Sequence, residues 1–201
     1  MATPYSKENQ EFTNRAHDAA QRLLYPSLFG VEQDQLSFEC TSLGLGERQA
    51  FLDGQMAIDR IVKVQVPGLG LPLSFTVQER FRKPKYASFR DITITEWNLA
   101  TDRPSELYKL NAGLFIYGYY DAIADRFIEA IAVDVPWLLI MFPLKLVDWS
   151  LQENPRTSQT FFCFKFDDLF TSGAVCGYWR SLCKHNGDLH TKFYRLARTA
   201  A

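Results

Sequence analysis

The sequence predicts a single α/β domain with a mixed central β-sheet flanked by helices. Three observations carry that prediction. The chain has 201 residues, the usual span of one compact domain. Its composition, 47% hydrophobic and 14% aromatic, supplies a core that a chain of this size buries without disulfide or metal support. Its periodicities run helix, three or four strands, helix, then strands, which is not strict βαβ alternation. No internal repeat, low-complexity tract or Pro/Gly/Ser-rich linker divides it.

The first helix is read over Ser6 to Leu24. Ser6 caps it, Glu8 follows early, and Phe12, Ala16, Ala19, Ala20, Leu23 and Leu24 form an apolar stripe at helical spacing. Pro26 and Gly30 end it. Leu36 to Ser42 is short and β-like, and the turn-rich Leu43-Gly44-Leu45-Gly46 follows. Gln55 to Val66 alternates as a strand and joins Leu73 to Arg82 through the turn Pro67-Gly68-Leu69-Gly70. In the second strand Leu73, Phe75, Val77, Glu79 and Phe81 fall on one face. Ser74, Thr76, Gln78, Arg80 and Arg82 fall on the other. Phe89 to Trp97 is a further strand, in which Ile92 and Ile94 alternate with Asp91, Thr93 and Thr95. Pro104 to Ala112 has helical character, with Pro104 suited to a first turn. Two aromatic and β-branched runs, Leu114 to Tyr120 and Arg126 to Val135, are strands. A helical Pro136 to Trp149, a strand Thr160 to Phe166 and a mixed tail complete the order.

The charge balance, 22 basic against 23 acidic residues, excludes a strongly cationic coat for nucleic acid but not a local basic strip. Four scattered cysteines make no disulfide framework, and the polar start of the chain carries no apolar leader segment, so reduced thiols in a cytoplasmic setting are expected. The most apolar run, Val133 to Val147, is broken by Pro136, Pro143 and Lys145 and falls short of the ~20 residues a membrane span needs. With three histidines and no Gly-x-Ser-x-Gly, a triad hydrolase has little support, and the glycine pairs at 44–46 and 68–70 lack the rest of a nucleotide-binding loop. Cys176, Cys183, His185 and His190 fit no compact zinc knuckle; a buried Cys176 and surface histidines are expected instead.

The chemistry centres on Asp59, an acid inside the strand-like run Met56-Ala57-Ile58-Asp59-Arg60-Ile61-Val62. Carboxylates are depleted in strands, and a half-buried one needs a partner, a proton or a metal. The next strand ends in Gln78-Glu79-Arg80, whose Gln78 and Arg80 share a face that meets Asp59 if the strands are hairpin neighbours. A carboxylate, an amide oxygen and a cationic head together suit a divalent ion and a phosphodiester. The plainer alternative is an ordinary cross-strand ion pair of Asp59 with Arg60 or Arg80.

The runs Ala57-Ile58-Asp59-Arg60-Ile61-Val62 and Thr76-Val77-Gln78-Glu79-Arg80 resemble the active-site motif of the PD-(D/E)XK, restriction-endonuclease-like nuclease superfamily. The element order over residues 6 to 135 is also similar to its αβββαβ core. The resemblance implies that Asp59 and Gln78 bind Mg²⁺ or Mn²⁺, that Arg80 stands at the catalytic lysine position, and that a helix acid, Glu11 or secondarily Asp18, is accessory. Gln replaces the usual acid, which some members tolerate. Arg replaces Lys, and Arg stays protonated, so an orienting or charge-stabilising role survives but a base role does not. What the resemblance implies is hydrolysis of DNA phosphodiester bonds, or, because of the two replacements, a silent member of the fold that binds nucleic acid or protein.

Downstream, Arg80, Arg82, Lys83, Lys85 and Arg90 interleave with Phe81, Tyr86 and Phe89. Such a strip tracks a phosphate backbone and stacks on bases, or is a solvated loop protecting a sheet edge. The expected partner is DNA, through Arg82, Lys83, Lys85 and Arg90, with no membrane; homodimerisation stays open.

Overall fold

The N-terminal stripe forms helix α1 (Lys7–Leu23), and the small buried Ala16, Ala19 and Ala20 let it lie close on a sheet. Pro26 does not end the helical path. It occupies the first turn of a short helix α2 (Tyr25–Phe29), where its missing N–H costs nothing, and Gly30 closes that helix in the left-handed conformation at φ 69°. The computed structural model describes residues 7–41, 47–66, 68–155, 157–183 and 189–195, so the proposed cap Ser6 and the Leu43 to Gly46 turn lie outside the described residues.

Strand β1 (Leu36–Cys40) follows, then helix α3 (Glu47–Met56) and strand β2 (Arg60–Val64). The expected strand from Gln55 is therefore corrected: its first residues belong to α3, and Ala57, at φ 46°, turns the chain out of the helix. Asp59 consequently stands at the mouth of β2 rather than within it. Strand β3 (Leu73–Arg82) matches the reading from alternation residue for residue. After a 3-10 turn at Pro84–Phe89 come β4 (Asp91–Asn98) and the two-residue β5 (Arg103–Pro104). The expected helix from Pro104 to Ala112 is only a single 3-10 turn, Glu106–Lys109. Strands β6 (Leu114–Asp121) and β7 (Arg126–Asp134) form a hairpin leading into α4 (Val135–Met141), shorter than the helix read to Trp149. Pro143 explains the early stop, since it cannot continue the ladder. Strands β8 (Ser150–Asn154) and β9 (Gln159–Lys165), helix α5 (Phe166–Thr171), and strands β10 (Val175–Cys183) and β11 (Leu189–Arg195) complete the chain.

The fold is mixed α/β in three layers. A seven-stranded sheet runs β1-β2-β3-β6-β7-β10-β11, and a four-stranded sheet runs β5-β4-β9-β8. In the large sheet the pairing of β3 with β6 is parallel and every other pairing is antiparallel. One apolar core, with Ala16, Ala20, Tyr25, Val62, Val77 and Trp179, joins α1 and α2 to one face of that sheet. The other, with Ile92, Ile94, Phe115, Tyr117, Phe162 and Phe164, joins the opposite face to the small sheet. Strand β6 serves both: Phe115, Tyr117 and Tyr119 enter one core, and Ile116 and Tyr120 the other. That two-sided burial is why its sequence is a continuous aromatic and apolar run. Gly118 sits between them because a Cβ there would lie 2.9 Å from both Ala130 Cβ and Phe127 Cδ1. Among the described residues no helix is long and apolar enough to cross a membrane.

Candidate functional site

The two faces of β3 hold two different polar clusters. On the α1 face, Glu79 has a side chain with no exposure at all, an acid among Val77 and Phe81 that must find partners. Its Oε1 accepts from the Tyr25 hydroxyl at 2.5 Å, and its Oε2 accepts from Arg60 Nε at 2.5 Å and contacts His17 Nδ1. Burial pushes its carboxyl up, but His17, Arg60 and Tyr25 together outweigh burial and hold it below the ordinary value. The same anion, added to burial, drives the Tyr25 hydroxyl well above its usual range.

Asp59 is tied to the same strand by main-chain bonds. Its N–H donates to Val77 O at 2.9 Å, and its Oδ2 accepts from the Glu79 N–H at 2.8 Å. Continuing the β2–β3 register one step past Arg60↔Val77 sets Asp59 opposite Gln78. Burial first, then the nearby Glu79 charge, push its carboxyl up from 3.8 to about 7, while the Glu79 N–H acts the other way. Neither ion pair weighed from the sequence is present: Arg60 binds Glu79 and Arg80 binds Glu106.

On the opposite face Gln78 and Arg80 converge on Glu106, from the 3-10 turn between β5 and β6. Gln78 Nε2 donates to Glu106 Oε1 at 3.1 Å. Arg80 donates to Glu106 Oε2 at 2.5 Å and to Thr93 O at 2.8 Å. The Thr95 N–H also reaches Glu106 Oε2, at 3.2 Å. The far end of this segment docks beside Asp59's own, where the Asn111 N–H donates to Met56 O at 3.0 Å. Gln78 Oε1 is buried and has no hydrogen-bond partner. An orphaned acceptor beside two carboxylate-bearing segments is the kind of oxygen a hard divalent cation takes, so the donors at Asp59 and Gln78 fit such an ion. No group of three His, Cys, Asp or Glu side chains gathers as ligands among the described residues.

Glu11, the accessory acid expected on α1, lies elsewhere. It is 63% exposed, pairs with Lys7 at 3.8 Å, and lines a separate apolar cavity of about 370 Å³ with Phe12, Arg15 and Ile123. The α1 side chain that reaches β3 is His17. Asp18 is exposed, beside Arg15 and Arg22.

The basic strip divides. Arg82 stacks on Tyr86, its guanidinium carbon 4.2 Å from the ring centroid, and Lys85 lies 5.1 Å from the same ring. Lys83 is held by Glu8 at 2.7 Å. Arg90, left-handed at φ 45°, is clamped by Glu129 at 3.1 Å and Asp167 at 3.2 Å. Arg80 and Arg82 floor a polar cleft of about 260 Å³ between the sheets, walled by Thr93, Asn154, Thr157 and Gln159. It adjoins a second hollow of about 610 Å³ that shares Phe81, Arg82 and Asn154 and extends to Lys85 and Tyr86. The cleft therefore leads from the strip to Arg80, the neighbour of Gln78 and Glu106.

Two features escaped sequence reasoning. Glu106 reads as an ordinary acid in the first turn of a helix, which hid it. The Glu79 cluster had a signal, an acid on the apolar face of β3, but its partners lie 62, 54 and 19 residues away. Cys176 is half-buried, its thiol near Ala132 O, and His185 lies outside the described residues. No family model, curated protein or solved structure matches this chain.

Proposed function

We propose that this domain binds DNA along the cleft floored by Arg80 and Arg82 and hydrolyses its phosphodiester backbone with Mg²⁺ or Mn²⁺, as the PD-(D/E)XK-like motif implies. The carrying observation is the buried, unpartnered Gln78 Oε1 on the strand position opposite Asp59, next to Arg80 at the cleft. The element order adds support: α1, three antiparallel strands, a crossover, then β6 parallel to β3. Its departure from an αβββαβ core is that the crossover carries β4, β5 and 3-10 turns where that core has a helix.

A divalent ion held by Asp59 and Gln78 supplies charge neutralisation and water activation at the phosphate. The protein's part is positioning. Glu79's N–H fixes Asp59 Oδ2, Glu106 fixes Gln78 and Arg80, and Arg80 places a permanent cation where the phosphorane gathers negative charge. Arg82 and Lys85, flanking Tyr86, hold the strand beyond the site by charge and stacking. Asp59→Ala is expected to abolish Mg²⁺-dependent DNA cleavage with the circular dichroism spectrum unchanged. Cleavage persisting at the wild-type rate in that variant would end the proposal.

A second reading is a catalytically silent DNA-binding domain, favoured by the engagement of both terminal nitrogens of Arg80 with Glu106 and Thr93. DNA binding without any Mn²⁺ site in titration selects it.

A further inference from the structure

The ligand pair taken from the motif is one carboxylate short. Asp59 brings one negative charge and Gln78 none, whereas the affinity of a divalent site rises with the number of charged oxygens around it. The chain places a carboxylate beside this gap from another element. Glu106 Oε1 is 3.1 Å from Gln78 Nε2, on the same amide group whose Oε1 is buried without a partner. Glu106 is itself nearly enclosed, its side chain 9% exposed, and Gln78 is 9% exposed. Burying an acid in that position is costly unless cations or donors meet it. Arg80 Nη2, the Gln78 amide and the Thr95 N–H do so, two of them on Oε2, so that Oε1 accepts from Gln78 alone. The crossover is anchored at both ends around the same spot, at Gln78 and Arg80 through Glu106 and at Met56, three residues before Asp59, through Asn111.

We infer that Glu106 is the second carboxylate of a divalent-cation site completed by Asp59 and the Gln78 side-chain oxygen, the charge missing from the β3 motif having been moved onto the crossover. The inference rests on the nuclease-like reading for the identity of Asp59 and Gln78. It adds that the acid at position 78 was relocated rather than lost, and that Arg80 is held by a ligand of the ion rather than by a bystander. Turning the Gln78 amide about its last bond exchanges its N and O, which brings the orphaned oxygen and Glu106 Oε1 onto one ion without moving the backbone.

Mn²⁺ titration by calorimetry, on the full chain without nucleic acid, tests this independently of cleavage. The wild type is expected to bind one ion. Glu106→Gln, which preserves shape and hydrogen bonding, is expected to weaken binding about 10-fold or more, as is Asp59→Asn. Gln78→Glu introduced into the Glu106→Gln background returns a carboxylate to the same spot and is expected to recover most of the lost affinity. Arg80→Gln removes the ion pair but keeps the Glu106 carboxylate, and is expected to bind Mn²⁺ at least as tightly as wild type. Two results overturn the inference while leaving Asp59's role intact: Glu106→Gln binding Mn²⁺ like wild type while Asp59→Asn does not, or Arg80→Gln weakening binding as much as Glu106→Gln. Absence of Mn²⁺ binding by the wild type overturns it outright, whereas the cleavage reading stands or falls on Asp59→Ala.

Discussion

Replacing Asp59 by Asn should stabilise the metal-free protein, and only above acidic pH. Burial and the Glu79 charge push the Asp59 carboxyl from 3.8 to about 7. A folded-state value above the unfolded one means the native protein holds a proton that the unfolded chain has released. Stability on this account is complete below about pH 4, falls as pH rises toward 7, and is flat beyond, where an ionised carboxylate stays buried. About three pH units at about 1.4 kcal/mol each give a ceiling of about 4 kcal/mol. Asn occupies the same volume, and its side-chain oxygen still accepts the Glu79 N–H, so the variant lacks the penalty without opening a cavity. Urea denaturation in EDTA from about pH 4 to about pH 8 should show the two proteins equal at the acid end. The variant should then lead by a few kcal/mol at the alkaline end, with the gap opening between. A gap independent of pH, or a less stable variant at pH 8, would refute the assigned burial of Asp59.

Other perturbations probe the surrounding structure. Glu79→Gln leaves the Arg60 guanidinium, only 9% exposed, without its anion; denaturation should show a loss of about 3–5 kcal/mol, and a loss below about 1 kcal/mol would mean the cluster is solvated. Gly118→Ala forces a Cβ against Ala130 and Phe127, so calorimetry should find a destabilisation of about 1–3 kcal/mol, and an unchanged melting temperature would contradict the close approach of β6 and β7. Arg82→Gln should weaken DNA binding and lower the slope of log affinity against log salt by about one, measured by fluorescence anisotropy, whereas Arg90→Gln, already neutralised by Glu129 and Asp167, should leave that slope unchanged.

Local order was largely legible. The 3.6-residue stripe found α1, and strict alternation found β3 together with the sorting of Gln78 and Arg80 away from Glu79. Each of these depends on neighbours two to four residues apart, a range over which backbone geometry alone assigns faces. The boundary at Ala57 was not legible, because an apolar run ending a helix and one starting a strand look alike until the chain turns at a positive φ. Nor was the small sheet, since β8 is exposed along four of its five residues and lacks an alternating pattern.

The sequence by itself determined that an acid stands near a Gln-x-Arg strand face, and that a basic aromatic strip follows it. Only the tertiary structure decided which groups meet. Strand order and register put Glu106 on Gln78 and Arg80 across 28 and 26 residues, gave Glu79 to His17, Tyr25 and Arg60, and spent Arg90 on two carboxylates. The physical reason is that side-chain periodicity is a property of one element, whereas a polar partner is chosen by what burial brings alongside, and a buried charge takes the donors that the packed layers offer.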